Sequence, residues 1–274
     1  MKTVSYTSQW TAAARAVETD RNDALFKDPL AKYLAEPKGF ELLKTYDGGG
    51  LQDFVAIRTK YIDTAIESLV MMGNIRQVVI VAAGMDTRAY RLHWPWDTVL
   101  YEIDYDALHY EKQKRLDKLG VNTLVDRRVV MADLSTSWLP ELYNAGFDTQ
   151  QPTLWIAEAI LFFLHEQEVA TLLTTLASIS TPGSFLITDV LNAEILKSIS
   201  TQNFLNSLRA NNIPWLFGIN NPEEYFAKFN WEVFDIKEPG QDGAGLGRWP
   251  YAVIPRETLH VPRNWLIQAQ IRNL

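Results

Sequence analysis

The sequence predicts an α/β protein: a seven-stranded, mostly parallel sheet with an antiparallel last strand, preceded by a helical N-terminal cap. Three observations carry that expectation. From residue 77, short β-branched apolar runs alternate with helical stretches, the rhythm of a parallel sheet covered on both faces. Up to residue 72, apolar positions recur instead at three- and four-residue spacings. After residue 236 the alternation stops. A Gly- and Pro-rich connection, 237–262, shows no amphipathic helix and leads to a strand more easily paired antiparallel.

Each element has its own justification. Residues 8–72 read as helices, with apolar positions in 12–17, 25–34, 40–43 and 54–72. Breaks fall at Asp28-Pro29, Glu36-Pro37 and Gly48-Gly49-Gly50. The first strand is 77–82 (QVVIVA), ending at Ala83-Gly84 before a helix start. The second is 98–103 (TVLYEI), ending at Asp104 and followed by a helix over 107–119. Residues 127–130 form a third strand before Asp133-Leu134, residues 153–157 a fourth, and 166–179 a helix. Residues 183–190 (GSFLITDV), 231–236 and 264–271 complete the sheet. Extra helices in 192–228 are expected to lie over the ligand site. Without repeats or low-complexity segments, one domain over 1–274 is the simplest organisation. It divides into a cap (1–75), a ligand-binding core (76–191), a helical insertion or lid (192–230) and C-terminal strands (231–274).

Composition narrows the function classes. A chain of 274 residues with 47% hydrophobic and 22% charged residues is too apolar to be largely disordered. A net charge of −7 argues against a general nucleic-acid binder. The absence of cysteine excludes disulfides and thiol chemistry and fits a reducing compartment. The first ten residues, MKTVSYTSQW, lack the apolar run of a signal peptide. The longest apolar stretch, 154–164, contains Glu158 and is too short to span a bilayer. The expectation is a cytoplasmic protein with no membrane or nucleic-acid partner and a small-molecule ligand. The sequence does not set its oligomeric state.

In an open parallel sheet, ligands bind beyond the carboxyl ends of the strands, near the switch in strand order. At the first such end, Ala82-Ala83-Gly84 offers small residues that let backbone N–H groups approach a ligand. Asp104, twenty residues beyond Gly84, has the spacing of an acid that accepts from ribose hydroxyls. Asp133-Leu134 pairs a carboxylate with an apolar residue, suited to an adenine amino group and ring. Glu158 sits in an apolar run, so it must be paired or face a cavity. Each has a plainer alternative: a turn at Gly84, a turn or cap at Asp104, an N-cap at Asp133. Taken singly the plainer alternative stands for these three and function for Glu158; together, four successive strand ends favour a binding crevice. A dinucleotide fingerprint would need G-x-G-x-x-G, and only Gly84 is present. No G-x-x-x-x-G-K-[ST] loop occurs either. The balance favours S-adenosyl-L-methionine and a Rossmann-like class I methyltransferase sheet.

The chain resembles the leucine carboxyl methyltransferase family, including its bacterial branch of small-molecule and polyketide-type O-methyltransferases, from about Thr11 to Asn192. The resemblance rests on 11–36, RTKYID (58–63), VVIVAAGMDTRAYRL (78–92), YEIDYDALHYEK (101–112), Asp133-Leu134 and LWIAEAILFFL (154–164). It implies an S-adenosylmethionine-dependent O-methyltransferase acting on a carboxylate or hydroxyl of a small molecule, a secondary metabolite among the candidates. It further implies that Arg58 holds the cofactor carboxylate, a bidentate task suited to a guanidinium. By the same resemblance Gly84 faces the cofactor backbone, Asp104 holds the ribose, Asp133 and Leu134 meet adenine, Glu158 lies near the amino group, and Ala82 and Tyr105 are also cofactor-binding. Without it, Arg58 reads as an ordinary helix-surface charge. The family commonly has Gly where Ala82 and Ala159 stand, so each adds a methyl near the cofactor.

A carboxylate acceptor needs no general base at neutral pH, whereas a hydroxyl does. The four histidines, His93, His109, His165 and His260, show no metal-ligand spacing, so no metal is expected. His165 is the one candidate base, and a helix start is its plainer role. Trp10, Trp215, Phe217, Tyr225, Trp249 and Tyr251 stand outside the strands and are candidates for an apolar acceptor pocket. Residues 240–250 are a candidate mobile rim, or an ordinary loop. Two rivals are a nicotinamide-dependent oxidoreductase and a nucleoside-binding protein without turnover.

Overall fold

The structure is a computed structural model that describes residues 5–46, 50–72, 75–245 and 247–272. Four helices open the chain: α1 (Ser5–Thr19), α2 (Ala31–Leu34), α3 (Glu36–Tyr46) and α4 (Leu51–Met72). The alternating part follows with β1 (Gln77–Val81), α5 (Arg88–Arg91), β2 (Val99–Asp104), α6 (Asp106–Leu119), β3 (Asp126–Met131), α7 (Leu139–Asn144) and β4 (Thr153–Ala157). Then come α8 (Glu166–Ser178), β5 (Phe185–Leu191), α9 (Ile199–Ala210), α10 (Pro222–Ala227), β6 (Trp231–Lys237) and β7 (Asn264–Ile271).

The strands form one seven-stranded sheet in the order β3-β2-β1-β4-β5-β7-β6. Pairing from β3 to β5 is parallel, and β7 runs antiparallel to both β5 and β6. The fold is thus a Rossmann-like class I methyltransferase fold with a helical N-terminal cap. The strand order reverses at β1, where the chain leaves on one side to β2 and returns on the other to β4, opening a crevice at the carboxyl ends. Register places Val81 beside Ile103 and Ile80 beside Ile156, so Asp104 and Glu158 flank the turn that follows β1.

Every residue of β1 and β4 is buried, as strands covered on both faces require. Their side chains alternate between two cores. Val78 and Ile80 join Leu154 and Ile156 in a core with Ile62 and Ile66 of α4. Val79 and Val81 join Trp155 and Ala157 in a core with Leu173 and Leu176 of α8. The helix α4 therefore belongs to a covering layer of the sheet, and α1 packs on α3 and α4 outside it.

Several sequence expectations change in detail. The segment 25–34 is helical only in α2, because Pro29 breaks it and the buried Asp28 caps α2 through the Ala31 N–H at 3.1 Å. Pro37 sits in the first turn of α3, where a missing N–H costs nothing, so the break falls one residue earlier. Gly48 and Gly49 lie outside the described residues. The helix after Gly84 is a single turn, α5, and α7 is an element the apolar pattern does not announce. Among the described residues no helix is long and apolar enough to cross a membrane.

Candidate functional site

The turn between β1 and α5 forms the floor of the crevice. Ala82 has φ 56° and Gly84 φ 52°, both in the left-handed region, so the chain reverses within three residues. Ala159, which follows Glu158, also has φ 55°. The family's glycines at these two positions thus have a conformational reason: alanine holds the same backbone at a cost of about 1–2 kcal/mol each. A Cβ on Gly84 would stand 3.0 Å from the Ser8 Cβ, so the start of α1 lies directly over this turn.

Asp104 ends β2 and is itself buried. Its Oδ2 accepts the Gly84 N–H at 2.7 Å and its Oδ1 accepts the Tyr105 N–H at 2.7 Å. Burial pushes this carboxyl up from its ordinary value, against the pull of those two N–H groups. Two bonds leave lone pairs on both oxygens for hydroxyl donors. Gly84, Asp104, Tyr105 and Leu134 all line a cavity of about 840 Å³ that runs on to α8. Asp133 holds the following turn instead: it accepts from the Ser135 N–H at 3.0 Å and from the Tyr105 hydroxyl at 3.3 Å.

A second cavity, of about 90 Å³, shares Ala82, Gly84 and Ala159 with the first and is lined by Arg58 and Glu158. Here Arg58 is no surface charge, because α4 turns it inward under the sheet's carboxyl edge. It donates from Nε to Glu158 Oε1 at 2.9 Å and from Nη1 to Asp189 Oδ2 at 3.0 Å. Glu158 also meets Arg88 Nη1 at 2.8 Å, and Arg88 meets Asp63 at 2.8 Å. Arg91 continues the chain to Asp63 at 2.6 Å and to Asp28 at 3.8 Å, and Asp28 meets Arg15 at 2.9 Å. One buried ionic chain thus ties α1, α4, α5, β4 and β5 together. Burial opposes charge on Glu158, but Arg88 and Arg58 outweigh it and hold its carboxyl at about 2. Burial pushes Asp189 up.

Arg58 and Glu158, which the resemblance set near the same part of the cofactor, bond to each other here, and their further partners Arg88 and Asp189 were not among the sequence candidates. Asp189 carried a readable signal, an acid at the end of the apolar run FLIT, the same feature that singled out Glu158. Arg88 and Arg91 sit within AAGMDTRAYRL, yet their inward aim follows only from where α5 lands. His165 starts α8, its N–H donating to Glu168 Oε2 at 2.7 Å, and it lines neither cavity. Of the six aromatic candidates, Trp10 and Trp215 line the smaller cavity. Phe217 and Tyr225 pack in the core on the α8 face, and Trp249 and Tyr251 pack over Gly50. The 240–250 segment is tied down by Arg248, which bonds Asp53 Oδ1 at 2.9 Å and also meets Glu18.

Comparison with known proteins agrees with this geometry. The leucine carboxyl methyltransferase family model matches residues 8–177. A Mycobacterium avium (strain 104) protein, assigned by inference as an S-adenosyl-L-methionine-dependent methyltransferase, is 38% identical over 208 residues. The match covers 68% of this chain and 66% of the relative, so the chain spans just under two thirds of that protein's length. A DUF574 family protein from Streptomyces avermitilis superposes with TM-score 0.64 at 16% identity, covering 95% of this chain and 97% of the other. A Thermobifida fusca crystal structure, assigned by inference as a methyltransferase, gives TM-score 0.63 at 16% identity, covering 96% and 94%. The two superpositions speak to the fold.

Proposed function

The chain belongs to the leucine carboxyl methyltransferase family of S-adenosylmethionine-dependent methyltransferases, and from that premise we propose that it methylates an oxygen of a small molecule, a carboxylate or a hydroxyl. The observation that carries the reading is Asp104, buried and pinned by two backbone N–H groups at the floor of a cavity sized for a nucleoside ligand. When bound, S-adenosyl-L-methionine supplies a methyl group on a sulfonium: the acceptor oxygen forms the new O–C bond and the C–S electron pair goes to sulfur.

The chain's own residues have four tasks in this reading. Asp104 takes the ribose hydroxyls on its remaining lone pairs, with Tyr105 beside it. Leu134 offers its side chain to the adenine, and Asp133 fixes the turn that presents it. Arg58 meets the methionine carboxylate while Glu158 and Asp189 hold its guanidinium in place. The ionic chain carries five acids, Asp28, Asp63, Asp86, Glu158 and Asp189, against four arginines, and that excess suits a cationic ligand beside Glu158.

The lining favours a carboxylate acceptor. No histidine lines either cavity among the described residues, Glu158, held at about 2, is a poor base, and Glu111 and Glu168 line only the larger cavity. A carboxylate is already ionised and asks for none. Calorimetry with S-adenosylmethionine and S-adenosylhomocysteine tests the reading. Micromolar binding to the wild type, lost in Asp104→Ala and in folded Arg58→Ala, is the expected result. Failure of the folded wild type to bind either, or preferential binding of a reduced nicotinamide dinucleotide, sinks it.

A further inference from the structure

The larger cavity outsizes the part of the cofactor that falls to it. Arg58 and Glu158 line the smaller cavity, so the methionine end of the ligand belongs there and only adenosine remains for the larger. At about 840 Å³ the larger cavity stands near the top of the roughly 300–1,000 Å³ that whole small-molecule sites span. The surplus lies beyond the base. Asp104 and Tyr105 mark the ribose end and Leu134 the adenine, yet the lining runs on through Trp138 and Leu139 to α8. There it takes in Glu168, Thr171, Leu172 and Thr175, whose spacing of i, i+3, i+4 and i+7 makes one helix face. Seven residues at about 1.5 Å each carry the cavity about 10 Å along the helix.

This extension has a definite chemistry. Trp138 and Leu172 form its floor, and both are buried members of the core that α8 covers. Thr171 and residues 135–137 are exposed, so the rim opens to water. The cavity as a whole is lined by four carboxylates, Asp104, Asp106, Glu111 and Glu168, and among the described residues by no lysine, arginine or histidine. An anion placed there meets repulsion and no cation to offset it. The shape of a purine decides which atom points into the extension. Its five-membered ring carries the ribose, and its amino group sits on the far edge of the six-membered ring. With the ribose at Asp104, a group on that amino nitrogen leads away from Asp104 and toward α8.

We propose that the groove along α8 is a subsite open to the far edge of the base, so that this chain accepts cofactors enlarged by an uncharged group on the adenine amino nitrogen, with Thr171 and Thr175 setting the room available. The inference rests on the methyltransferase reading and deepens it. The cofactor is then recognised through its ribose at Asp104 and its methionine end at Arg58, and the base is left open at its far edge. Trp138 and Leu172 receive the added group, and the carboxylates turn away an acidic one.

Three probes test this by calorimetry on the full chain: S-adenosylhomocysteine, the same molecule with a benzyl group on the adenine amino nitrogen, and its carboxybenzyl counterpart. The benzyl compound is expected to bind within tenfold of S-adenosylhomocysteine or more tightly. The carboxybenzyl compound should bind at least threefold more weakly than the benzyl compound. Thr171→Trp and Thr175→Trp each put an indole into the groove. Each should weaken the benzyl compound at least threefold and leave the affinity for S-adenosylhomocysteine unchanged. Thr171 is exposed, so its variant serves if the half-buried Thr175→Trp fails to fold. The proposal alone is overturned if the wild type binds the benzyl compound more than tenfold more weakly than S-adenosylhomocysteine. It is equally overturned if the carboxybenzyl compound comes within threefold of the benzyl compound, or if folded Thr171→Trp shifts the ratio of benzyl to parent affinity by less than threefold. Failure of S-adenosylhomocysteine to bind at all overturns the methyltransferase premise itself.

Discussion

The two ends of the smaller cavity are built on opposite rules. At one end Arg58, Arg88, Glu158 and Asp189 bond to each other, so each charge is met inside the fold. At the other, Trp10, Trp215 and Tyr46 hold donors that the fold leaves unmet. A buried charge without a partner is far more costly than a buried N–H without one. The protein therefore pairs these ions within the fold, whereas the aromatic donors stay unmet. The ionic end is a rigid mount, and the aromatic end is apolar packing with a few unmet donors.

The largest effect should come from breaking the mount. Glu158→Gln removes the carboxylate shared by Arg58 and Arg88 and is expected to destabilise the protein by about 3–5 kcal/mol in denaturant unfolding. A loss below about 1 kcal/mol would mean that water, not Glu158, carries those arginines, and the contrast between the two ends would fail.

Acid should loosen the same end and, apart from it, the buried Glu102 that pairs with Lys112 and Arg127. The folded carboxyls of Glu158 and of Glu102, which Lys112 and Arg127 hold against burial, lie at about 2, below their ordinary 4.5. A depressed carboxyl contributes its stability in full above the unfolded value and loses it as pH falls toward the folded one. Stability should therefore drop between pH 4.5 and pH 2, and more shallowly in Glu158→Gln. Asp189 and Asp104, raised by burial, work in the opposite sense, since their protonation relieves a cost. A flat urea midpoint over that range would argue against paired ions.

Asp104→Asn carries the contrast to the cofactor crevice. It should weaken S-adenosylhomocysteine about ten- to a hundredfold in calorimetry, the size of a lost charged hydrogen bond. An unchanged affinity would take Asp104 out of the binding role. The smallest effect is a gain. Ala82→Gly and Ala159→Gly relax a left-handed backbone and should each stabilise by about 0.5–1 kcal/mol, net of the entropy glycine adds to the unfolded chain. A loss on either change would show that the methyl packs well enough to repay the strain.

Much of this was legible in the sequence because it is local. The apolar runs at 77–81, 153–157 and 264–271 can hardly be anything but strands, and an acid or small residue at each strand end marks the crevice. The helix-poor connection before β7 foretold its antiparallel pairing. What escaped was the company each residue keeps. Arg58 and Glu158 are a hundred positions apart, and Arg58 and Asp189 farther still. No periodicity links them. The Phe54–Met72 region read as an ordinary amphipathic helix, so whether Arg58 pointed to solvent or inward depended on which sheet face α4 would cover.

The sequence by itself determined the strands, the chain order that makes a parallel sheet, and the acids at its carboxyl edge, because these follow from side-chain period and short-range sterics. Only the tertiary structure decided that four arginines turn inward, that Ala82 and Ala159 sit in left-handed turns, and that Trp10 and Trp215 face one cavity. The physical reason is the same in each case. Burying a charge or an N–H is favourable or costly according to what stands within about 3 Å of it, and that is fixed by the packing of distant segments.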